Sequence, residues 1–344
     1  MESSNTSRQV AVGIANFIPP NDPLVGSWSI KYDNPTKDLE IIRSTQSTRP
    51  PVFQVVAGDP VMVAISYAMA DTTSEANRTV SGGRVRVPFI SAAYRYRPAG
   101  IHPADPPSYE QDLCKRSNLR QTLTMSRRPD EPYTHYSPIS ATGGIFSNTV
   151  VVHRGPWHKY ELLEPPHDLP VVSVAPLRRP PAIGRGSVYK NDEDKTIMRE
   201  KICGALRICL YHNYDRVVIG DFGLGEGYRN PPKALAEIWR DLLLFDPVLR
   251  GQFAYVVFAF ENPTQSTTQC HWDNLLRSKE RRLSRRLAIE GTSSEYTSPT
   301  AEGSYIEPLA PTDMAVFQSV FHPHEIERVL QKPDPRCSIA MVLS

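Results

Sequence analysis

Apolar and polar positions follow two different periods along the middle of the chain. Runs of β-branched and aromatic residues predict strands at residues 52–57, 84–90, 148–153, 170–175, 216–219 and 254–260. Apolar residues at helical spacing predict a helix that begins at Asp59 and helices at residues 110–124, 194–213 and 232–245. Because strands and helices follow one another, we expect parallel strand pairs with helices on both faces. The predicted fold class is therefore α/β, a three-layer α/β/α core.

The segments outside this core lack the same periodicity. The chain has 32 prolines among 344 residues, well above the usual ~5%. We predict an irregular lead-in over residues 1–50 and a folded domain over residues 51–262. Residues 263–312 are first basic and then rich in Ser, Thr and Pro, and we expect them to be largely disordered. Residues 313–344 regain helical spacing and predict a C-terminal helix that docks on the core.

Charge and cysteine content narrow the class of function. With 39 basic and 37 acidic residues, the formal net charge is +2, so no overall field attracts nucleic acid or an acidic membrane. The five cysteines are scattered without the spacing of a zinc site, and we expect neither a metal nor a cofactor. The N-terminus is polar, and no apolar run approaches the ~20 residues that span a bilayer. We therefore expect a cytoplasmic or nuclear protein without a membrane or nucleic-acid partner.

A glycine-rich loop follows the fifth predicted strand. Gly223, Gly225 and Gly227 alternate with other residues, and Pro231 and Pro232 open the next predicted helix. Backbone amides in such a loop can surround an anionic group, and the helix start adds the positive end of its dipole. Glycine-rich turns also serve only to reverse a chain. The pattern therefore predicts either a phosphate-binding loop or a simple turn.

The segment from Pro98 to Ser117 carries a second pattern. Pro98 lies thirteen residues before Gln111, which is followed by Asp-Leu-Cys-Lys-Arg-Ser. This spacing resembles the signature of the microbial-type poly(ADP-ribose) glycohydrolase family, a branch of the macrodomains, in which a Pro-Gly-Gly-Gly loop precedes the second Glu of a Gln-Glu-Glu motif. The resemblance covers roughly residues 50–262 and continues through further blocks, at residues 146–154, 171–176, 219–225 and 257–260.

The resemblance implies a macrodomain-like α/β/α sandwich with a mixed, mostly parallel sheet and an ADP-ribose pocket between the two loops. It also implies that the first Glu of the motif holds ribose hydroxyls and that the second protonates the leaving ribose oxygen. The candidate catalytic residues are Glu110, Gln111 and Asp112. The candidate ligand-binding residues lie in the two loops: Pro98, Ala99, Gly100, Ile101, Gly220, Phe222, Gly223, Gly225, Gly227, Tyr228 and Asn230.

The acidic motif departs from the family pattern. Gln-Glu-Glu is replaced by Tyr109-Glu110-Gln111, so an amide stands where the proton donor is expected. An amide does not release a proton at neutral pH, and loss of a positioned acid typically costs ~10²–10⁴-fold in rate. Glu110 keeps the carboxylate that would contact ribose. Asp112 is adjacent, but neighbouring residues of a helix point ~100° apart, and we expect it to face away.

Both loops also depart from the family pattern. The first loop retains one of its three glycines, Gly100, so side chains occupy space that a phosphate would approach. In the second loop, Asp221 and Glu226 place two carboxylates near the proposed anion. These carboxylates oppose binding unless they point outward. Tyr228 is the residue that would take the aromatic position over the distal ribose.

These departures leave three functions open. The leading hypothesis is a domain that binds ADP-ribose or a related nucleotide, with weakened or lost glycohydrolase activity, whose partner is ADP-ribose or an ADP-ribosylated protein. The second hypothesis is an active poly(ADP-ribose) or ADP-ribose glycohydrolase that uses Glu110 or Asp112. The third is an interaction or scaffold protein with a vestigial pocket, which binds through its proline-rich loops, its basic residues 277–286 and its C-terminal helix.

Overall fold

The structure is a computed structural model that describes residues 28–41, 49–73, 85–97, 109–123, 136–290 and 310–331. Nine strands are found in these residues: β1 (Ser29–Tyr32), β2 (Val52–Ala57), β3 (Phe89–Ala92), β4 (Gly144–Arg154), β5 (Leu162–Val174), β6 (Ala182–Ile183), β7 (Val188–Tyr189), β8 (Arg216–Ile219) and β9 (Tyr255–Phe260).

Ten helices are found in the same described residues. They are α1 (Pro35–Asp38), α2 (Pro60–Thr73), α3 (Tyr109–Arg116), α4 (Leu119–Thr122), α5 (Asp192–Tyr211), α6 (Gly225–Tyr228), α7 (Pro232–Phe245), α8 (Thr267–Glu290), α9 (Asp313–Val320) and α10 (Pro323–Leu330). None of these helices is both long and apolar enough to cross a bilayer.

Seven of the described strands form one mixed sheet in the order β1-β4-β5-β3-β8-β9-β2. Strand β4 runs antiparallel to both of its neighbours, and the remaining pairs are parallel. Strands β6 and β7 form a separate hairpin. The predicted α/β fold with a mostly parallel sheet is confirmed.

Successive residues of β8 show why helices cover both faces of the sheet. Side chains alternate between the two faces of a strand. Val217 and Ile219 pack in one buried cluster, with residues of α5, α7, α9 and α10. Val218 lies between them in sequence but packs in the other cluster, with residues of α2 and α3. A strand that is apolar at every position is therefore buried on both faces, as the three-layer prediction requires.

The predicted irregular lead-in contains a strand that the sequence pattern missed. β1 pairs with β4, so that Ser29 lies opposite Ser147. The hydroxyl of Ser29 donates to the carbonyl oxygen of Thr122 at 3.0 Å and contacts the Ser147 hydroxyl at 2.9 Å. The strand has four residues and a mixed polar sequence, so its pairing depends on contacts with distant residues rather than on local propensity.

Two predicted elements have different bounds in the structure. The predicted strand at residues 84–90 begins as a strand only at Phe89, directly after Pro88, whose nitrogen has no hydrogen to donate to a ladder. The predicted helix at residues 110–124 is divided into α3 and α4. It is interrupted at Asn118, which exchanges hydrogen bonds with the backbone of Val151 in β4.

The segment at residues 263–312 differs most from the sequence prediction. Its basic part forms α8, whereas the sequence predicted a largely disordered segment; residues 291–309 lie outside the described residues. The first residue of α8, Thr267, donates its backbone N–H to Asp313 Oδ1 at 2.8 Å. A buried carboxylate from another part of the chain thus fixes the start of the helix, and local sequence composition does not reveal such a contact.

The C-terminal segment contains two helices where the sequence predicted one. α9 ends at Val320, and Pro323 occupies the first position of α10, where its missing N–H is not needed. Phe317 and Phe321 pack against Phe258 of the central sheet, with ring centroids 5.1 and 4.5 Å away. The two helices therefore cover part of one sheet face.

Candidate functional site

A cavity of about 300 Å³, here called the first cavity, opens at the carboxyl ends of β3, β8 and β9. Its wall comes from the loop after β8, from residues 261–265 after β9, from Tyr94 after β3 and from Tyr109 of α3. The carboxyl ends of parallel strands meet at one edge of a sheet, where open α/β folds usually bind ligands. The topology therefore places the second predicted loop beside this space.

Four of the residues predicted in the second loop line the first cavity. They are Gly220, Gly225, Gly227 and Tyr228. The Tyr228 hydroxyl donates to the carbonyl oxygen of Ala93 at 3.3 Å. This hydrogen bond joins the loop after β8 to the segment after β3, and it holds the two sides of the cavity together.

Three other residues predicted in this loop support the fold instead of facing the first cavity. Phe222 is 2% exposed and packs edge-on against Trp239, with ring centroids 5.7 Å apart. Asn230 is fully buried and donates its amide to the carbonyl oxygens of Leu177 and Gly223, at 2.9 and 2.8 Å. Gly223 has a φ of +77°, a left-handed conformation that favours glycine. Neither Phe222 nor Asn230 is among the residues that line the first cavity, and a ligand contact for them stays a prediction.

The backbone amide of Gly225 is bonded within the fold. Its N–H donates to Thr267 Oγ1 at 2.7 Å, and that hydroxyl donates to Asp313 Oδ2 at 2.7 Å. The glycine is required because its φ is +73° and because a Cβ would lie 2.8 Å from Gln265 Oε1. Gly225 therefore anchors the loop to the start of α8, while its Cα still lines the cavity.

The sequence predicts that Asp221 and Glu226 repel an anion in the second loop, but the surroundings of both carboxyl groups reduce this repulsion. Glu226 is exposed and forms an ion pair with Arg229 at 3.0 Å. Asp221 lines the first cavity, and burial, reinforced by the nearby carboxylates of Asp313 and Glu261, raises its pKa to about 8. At pH 7 its carboxyl group is mostly neutral. The charge of Glu226 is thus balanced by Arg229 and the raised pKa of Asp221 favours its neutral form, so repulsion of an anion is reduced.

Glu110 lies directly beside the wall of the first cavity. Its side chain is 1% exposed, and Oε2 accepts the backbone N–H of Tyr94 at 2.9 Å. Gln111 follows it on α3 and is partly exposed. Glu110 therefore links α3 to the segment after β3, and it is not among the residues that line the first cavity.

Asp112 lies in a different network from Glu110. Its Oδ2 is 3.0 Å from the Arg116 Nε, and its Oδ1 accepts the hydroxyl of Tyr160 at 2.7 Å. The Arg116 side chain is fully buried and also binds Asp59 at 2.6 Å. Burial raises the pKa of Asp112, although Arg116 partly offsets this effect. The carboxylate of Asp112 therefore serves to orient Arg116 and Tyr160.

Comparisons with known proteins support this architecture. No protein-family model matches the sequence, and a search of curated proteins finds no match. The structure is similar to that of poly(ADP-ribose) glycohydrolase from Thermomonospora curvata, with a TM-score of 0.58, 20% identity, and coverage of 77% of this chain and 97% of that chain. The chain has the fold of a microbial poly(ADP-ribose) glycohydrolase.

Two further structures with this glycohydrolase fold contain bound ligands. The Thermomonospora curvata enzyme bound to the inhibitor ADP-HPD has a TM-score of 0.52 and 20% identity, and the match covers 79% of this chain and 99% of that chain. The Deinococcus radiodurans enzyme in complex with ADP-ribose has a TM-score of 0.52 and 19% identity, and the match covers 73% of this chain and 94% of that chain.

Several residues of the site were not identified from the sequence. Tyr94, Arg178, Glu261 and Gln265 line the first cavity, and each follows a strand of the glycohydrolase fold. The rule that ligands bind beyond the carboxyl ends of parallel strands would have selected them. The predicted residues of the first loop, Pro98, Ala99, Gly100 and Ile101, lie outside the described residues. Within the described residues, no group of three or more Cys, His, Asp or Glu could hold a metal ion.

Proposed function

We propose that this protein binds ADP-ribose or a related nucleotide in the first cavity, and that its glycohydrolase activity is weakened or lost. The observation that carries the proposal is the first cavity itself, which lies between the loop of Gly220 to Tyr228 and the start of α3. The glycohydrolases of this fold that bind ADP-ribose or ADP-HPD support the choice of ligand. The partner is then free ADP-ribose or an ADP-ribosylated protein.

The side chains around the first cavity suit a nucleotide with a diphosphate. Tyr94, Tyr109 and Tyr228 provide aromatic surface for sugar and base, and Arg178 provides a positive charge. The neutral form of Asp221 at pH 7 can donate a hydrogen bond to a phosphate oxygen. Pockets for small ligands usually combine apolar walls with a few polar groups of this kind.

Weakened catalysis follows from the identity of the residue after Glu110. Cleavage of a glycosidic bond needs a general acid that protonates the leaving oxygen. Gln111 has no such proton, and Asp112 is held by Arg116 and Tyr160. The retained Glu110 can hold a ribose hydroxyl but has no acidic neighbour on the cavity side of α3. The chain therefore keeps the features for binding and lacks the one for efficient proton transfer.

A calorimetric titration with ADP-ribose tests the proposed binding. We expect saturable binding at one site and a thermal shift that grows with ligand concentration. Gly227 lines the first cavity, and a Cβ there would meet no atom within 4 Å, so we expect a larger side chain to occupy cavity space without disturbing the fold. Binding should weaken in the order wild type, Gly227→Ala, Gly227→Leu. Absence of both heat and thermal shift at millimolar ADP-ribose would contradict the proposal.

An active enzyme is the alternative that the buried position of Glu110 favours. In this case purified protein would release ADP-ribose from poly(ADP-ribose), and Glu110→Gln, which keeps an acceptor for the Tyr94 N–H, would abolish the release. If the wild-type protein shows no release while it binds ADP-ribose, the alternative is rejected and the binding function remains.

A further inference from the structure

A second cavity, of about 400 Å³, lies beside the first. Its wall is formed by residues 93–97 after β3 and residues 175–178 after β5, and Lys201 of α5 contributes to it. Tyr94, Arg178 and Tyr228 line both cavities. A ligand group in the second cavity would therefore lie against the far side of the same residues that line the first.

The second cavity differs from the first in its charge. Four of its eleven lining residues are cationic, namely Arg95, Arg97, Arg178 and Lys201, and none is acidic. The first cavity, in contrast, is lined by three carboxylate residues. A concave surface with charges of one sign concentrates ligands of the opposite sign.

Two of these cations bind carbonyl oxygens of the loop at residues 139–141, which does not neutralise their charge. Lys201 Nζ donates to the carbonyl oxygen of Ala141, and Arg95 Nε donates to the carbonyl oxygen of Ile139 at 3.2 Å. Carbonyl oxygens orient a cation but carry no net charge. In the described part of the chain, neither Lys201 nor Arg95 has a carboxylate within salt-bridge distance. The loop therefore holds two positive charges in place.

Keeping these charges together is unfavourable in the absence of an anion. Lys201 is only 4% exposed, and a buried ammonium group without an opposite charge is costly. Burial, with a smaller contribution from the positive charge of Arg95, lowers the pKa of Lys201 to about 8. An anion placed between them would relieve both effects and would accept hydrogen bonds from both groups.

We propose that the second cavity binds a phosphate group between Lys201 and Arg95, with Arg97 and Arg178 at its rim. A phosphate offers several acceptor oxygens, which suits donors that converge from different sides. The phosphate belongs either to the nucleotide in the first cavity or to a separate phosphorylated molecule. Only the first case rests on the proposed function. The chemistry of the site is the same for both sources.

Titration of the full-length protein with inorganic phosphate and with pyrophosphate at low ionic strength tests this proposal. We expect saturable binding that weakens roughly tenfold or more when one charged donor is removed. The test variants are Lys201→Met and Arg95→Gln. Because Arg95 is exposed, its variant keeps the test independent of folding. Matched controls are Lys195→Met, on the exposed side of the same helix, and Arg250→Gln, which should leave binding unchanged.

The same titration with saturating ADP-ribose distinguishes the two sources. Unchanged phosphate binding would identify a separate phosphorylated ligand, and loss of binding would show that the nucleotide carries its own phosphate into the second cavity. Either result supports the proposal. Absence of phosphate binding to the wild-type protein, or equal binding by Arg95→Gln and the controls, would overturn it. A protein that binds phosphate but not ADP-ribose would refute the proposed function alone.

Discussion

The carboxyl group of Asp221 is the side chain whose protonation most directly affects the first cavity. Its pKa is raised to about 8 by burial and by the carboxylates of Asp313 and Glu261. Its Oδ1 has no hydrogen-bond partner among the described residues. The three carboxyl groups come from the end of β8, from α9 and from the end of β9, so the charge at this position depends on three distant segments.

The raised pKa of Asp221 predicts how stability changes with pH. Between the ordinary pKa of 3.8 and the folded value of about 8, the folded state binds more protons than the unfolded state. Stability therefore falls as pH rises through this window, by at most about 1.4 kcal/mol per pH unit. We expect Asp221→Asn to lose this contribution. Urea unfolding of both proteins at pH 5, 7 and 9 measures this. The free energy of unfolding of the variant, relative to that of the wild type, should increase as pH rises.

The control for this measurement is Glu226→Gln in the same loop. Glu226 is exposed and its substitution should leave the pH profile of stability parallel to that of the wild type. If the difference between Asp221→Asn and wild type is constant from pH 5 to pH 9, the account of a neutral buried carboxyl group is wrong.

Gln111 is the residue at which the proposed loss of catalysis can be tested. We expect Gln111→Glu to create or raise release of ADP-ribose from poly(ADP-ribose), on the order of 10²–10⁴-fold, because it supplies the missing general acid. Release is measured by chromatography of the reaction products. Gln121→Glu, on α4, is the matched control and should have no effect. A Gln111→Glu protein that binds ADP-ribose but stays inert would show that the loop geometry blocks catalysis.

At the scale of elements, α8 and α9 together hold the loop after β8. Thr267, at the start of α8, accepts the Gly225 N–H and donates to Asp313, and Gln265 Nε2 donates to the same carboxylate at 3.0 Å. Asp313 is fully buried. The conformation of the cavity loop therefore depends on a carboxylate from the C-terminal segment.

Removal of the Thr267 hydroxyl should weaken this connection. Thr267→Val keeps the shape of the side chain but leaves the buried Gly225 N–H without a partner and removes one of the hydrogen bonds to the Asp313 carboxylate. We expect a loss of about 1–3 kcal/mol in the free energy of unfolding and weaker binding of ADP-ribose. Thr312→Ala removes the N-cap bond to Ala315 and should cost about 1 kcal/mol without a change in binding. If Thr267→Val and the wild type bind ADP-ribose equally well, the anchor of the loop at Thr267 does not affect the first cavity.

The elements also show which parts of the fold a sequence can predict. The strands β2, β8 and β9 are continuous apolar runs, which local pattern identifies. β1 was missed because its pairing with β4 joins residues 118 positions apart, and α8 was missed because its anchor Asp313 lies 46 positions beyond Thr267. Such contacts depend on the tertiary fold and leave no periodic trace.

The same distinction applies to the candidate site. Gly225 and Tyr228 were identified because they follow one strand in an unbroken glycine-rich pattern. Tyr94, Arg178 and Glu261 follow three different strands and meet only because β5, β3, β8 and β9 are neighbours in the sheet. The hydrogen bonds that use Asn230 and the Gly225 amide inside the fold also depend on residues far away in sequence.

For the whole molecule, the described C-terminal helices are part of the core. Phe317 is 3% exposed and contacts Phe258 and Phe260 of β9, with centroid distances of 5.1 and 5.3 Å. Phe321 also contacts Phe53 of β2 at 4.8 Å. The edge strand β2 is thereby connected to α9, so the C-terminal segment stabilises the sheet edge farthest from β1.

Truncation of Phe317 should therefore destabilise the whole fold. We expect Phe317→Ala to cost about 3–5 kcal/mol, because it leaves a cavity between α9 and the sheet. Leu330→Ala, at an exposed position of α10, should change stability by less than about 1 kcal/mol. Urea unfolding monitored by tryptophan fluorescence provides both values. A separate early transition with an unchanged main transition would show instead that the C-terminal helices unfold on their own.

A crystal structure of the protein grown with ADP-ribose would show where the nucleotide binds. We expect the diphosphate to lie between the loop of Gly220 to Tyr228 and Tyr94, with the distal ribose near Glu110 and Gln111. Nucleotide density elsewhere on the molecule, or a first cavity that stays free of nucleotide at saturating ADP-ribose, would contradict this expectation.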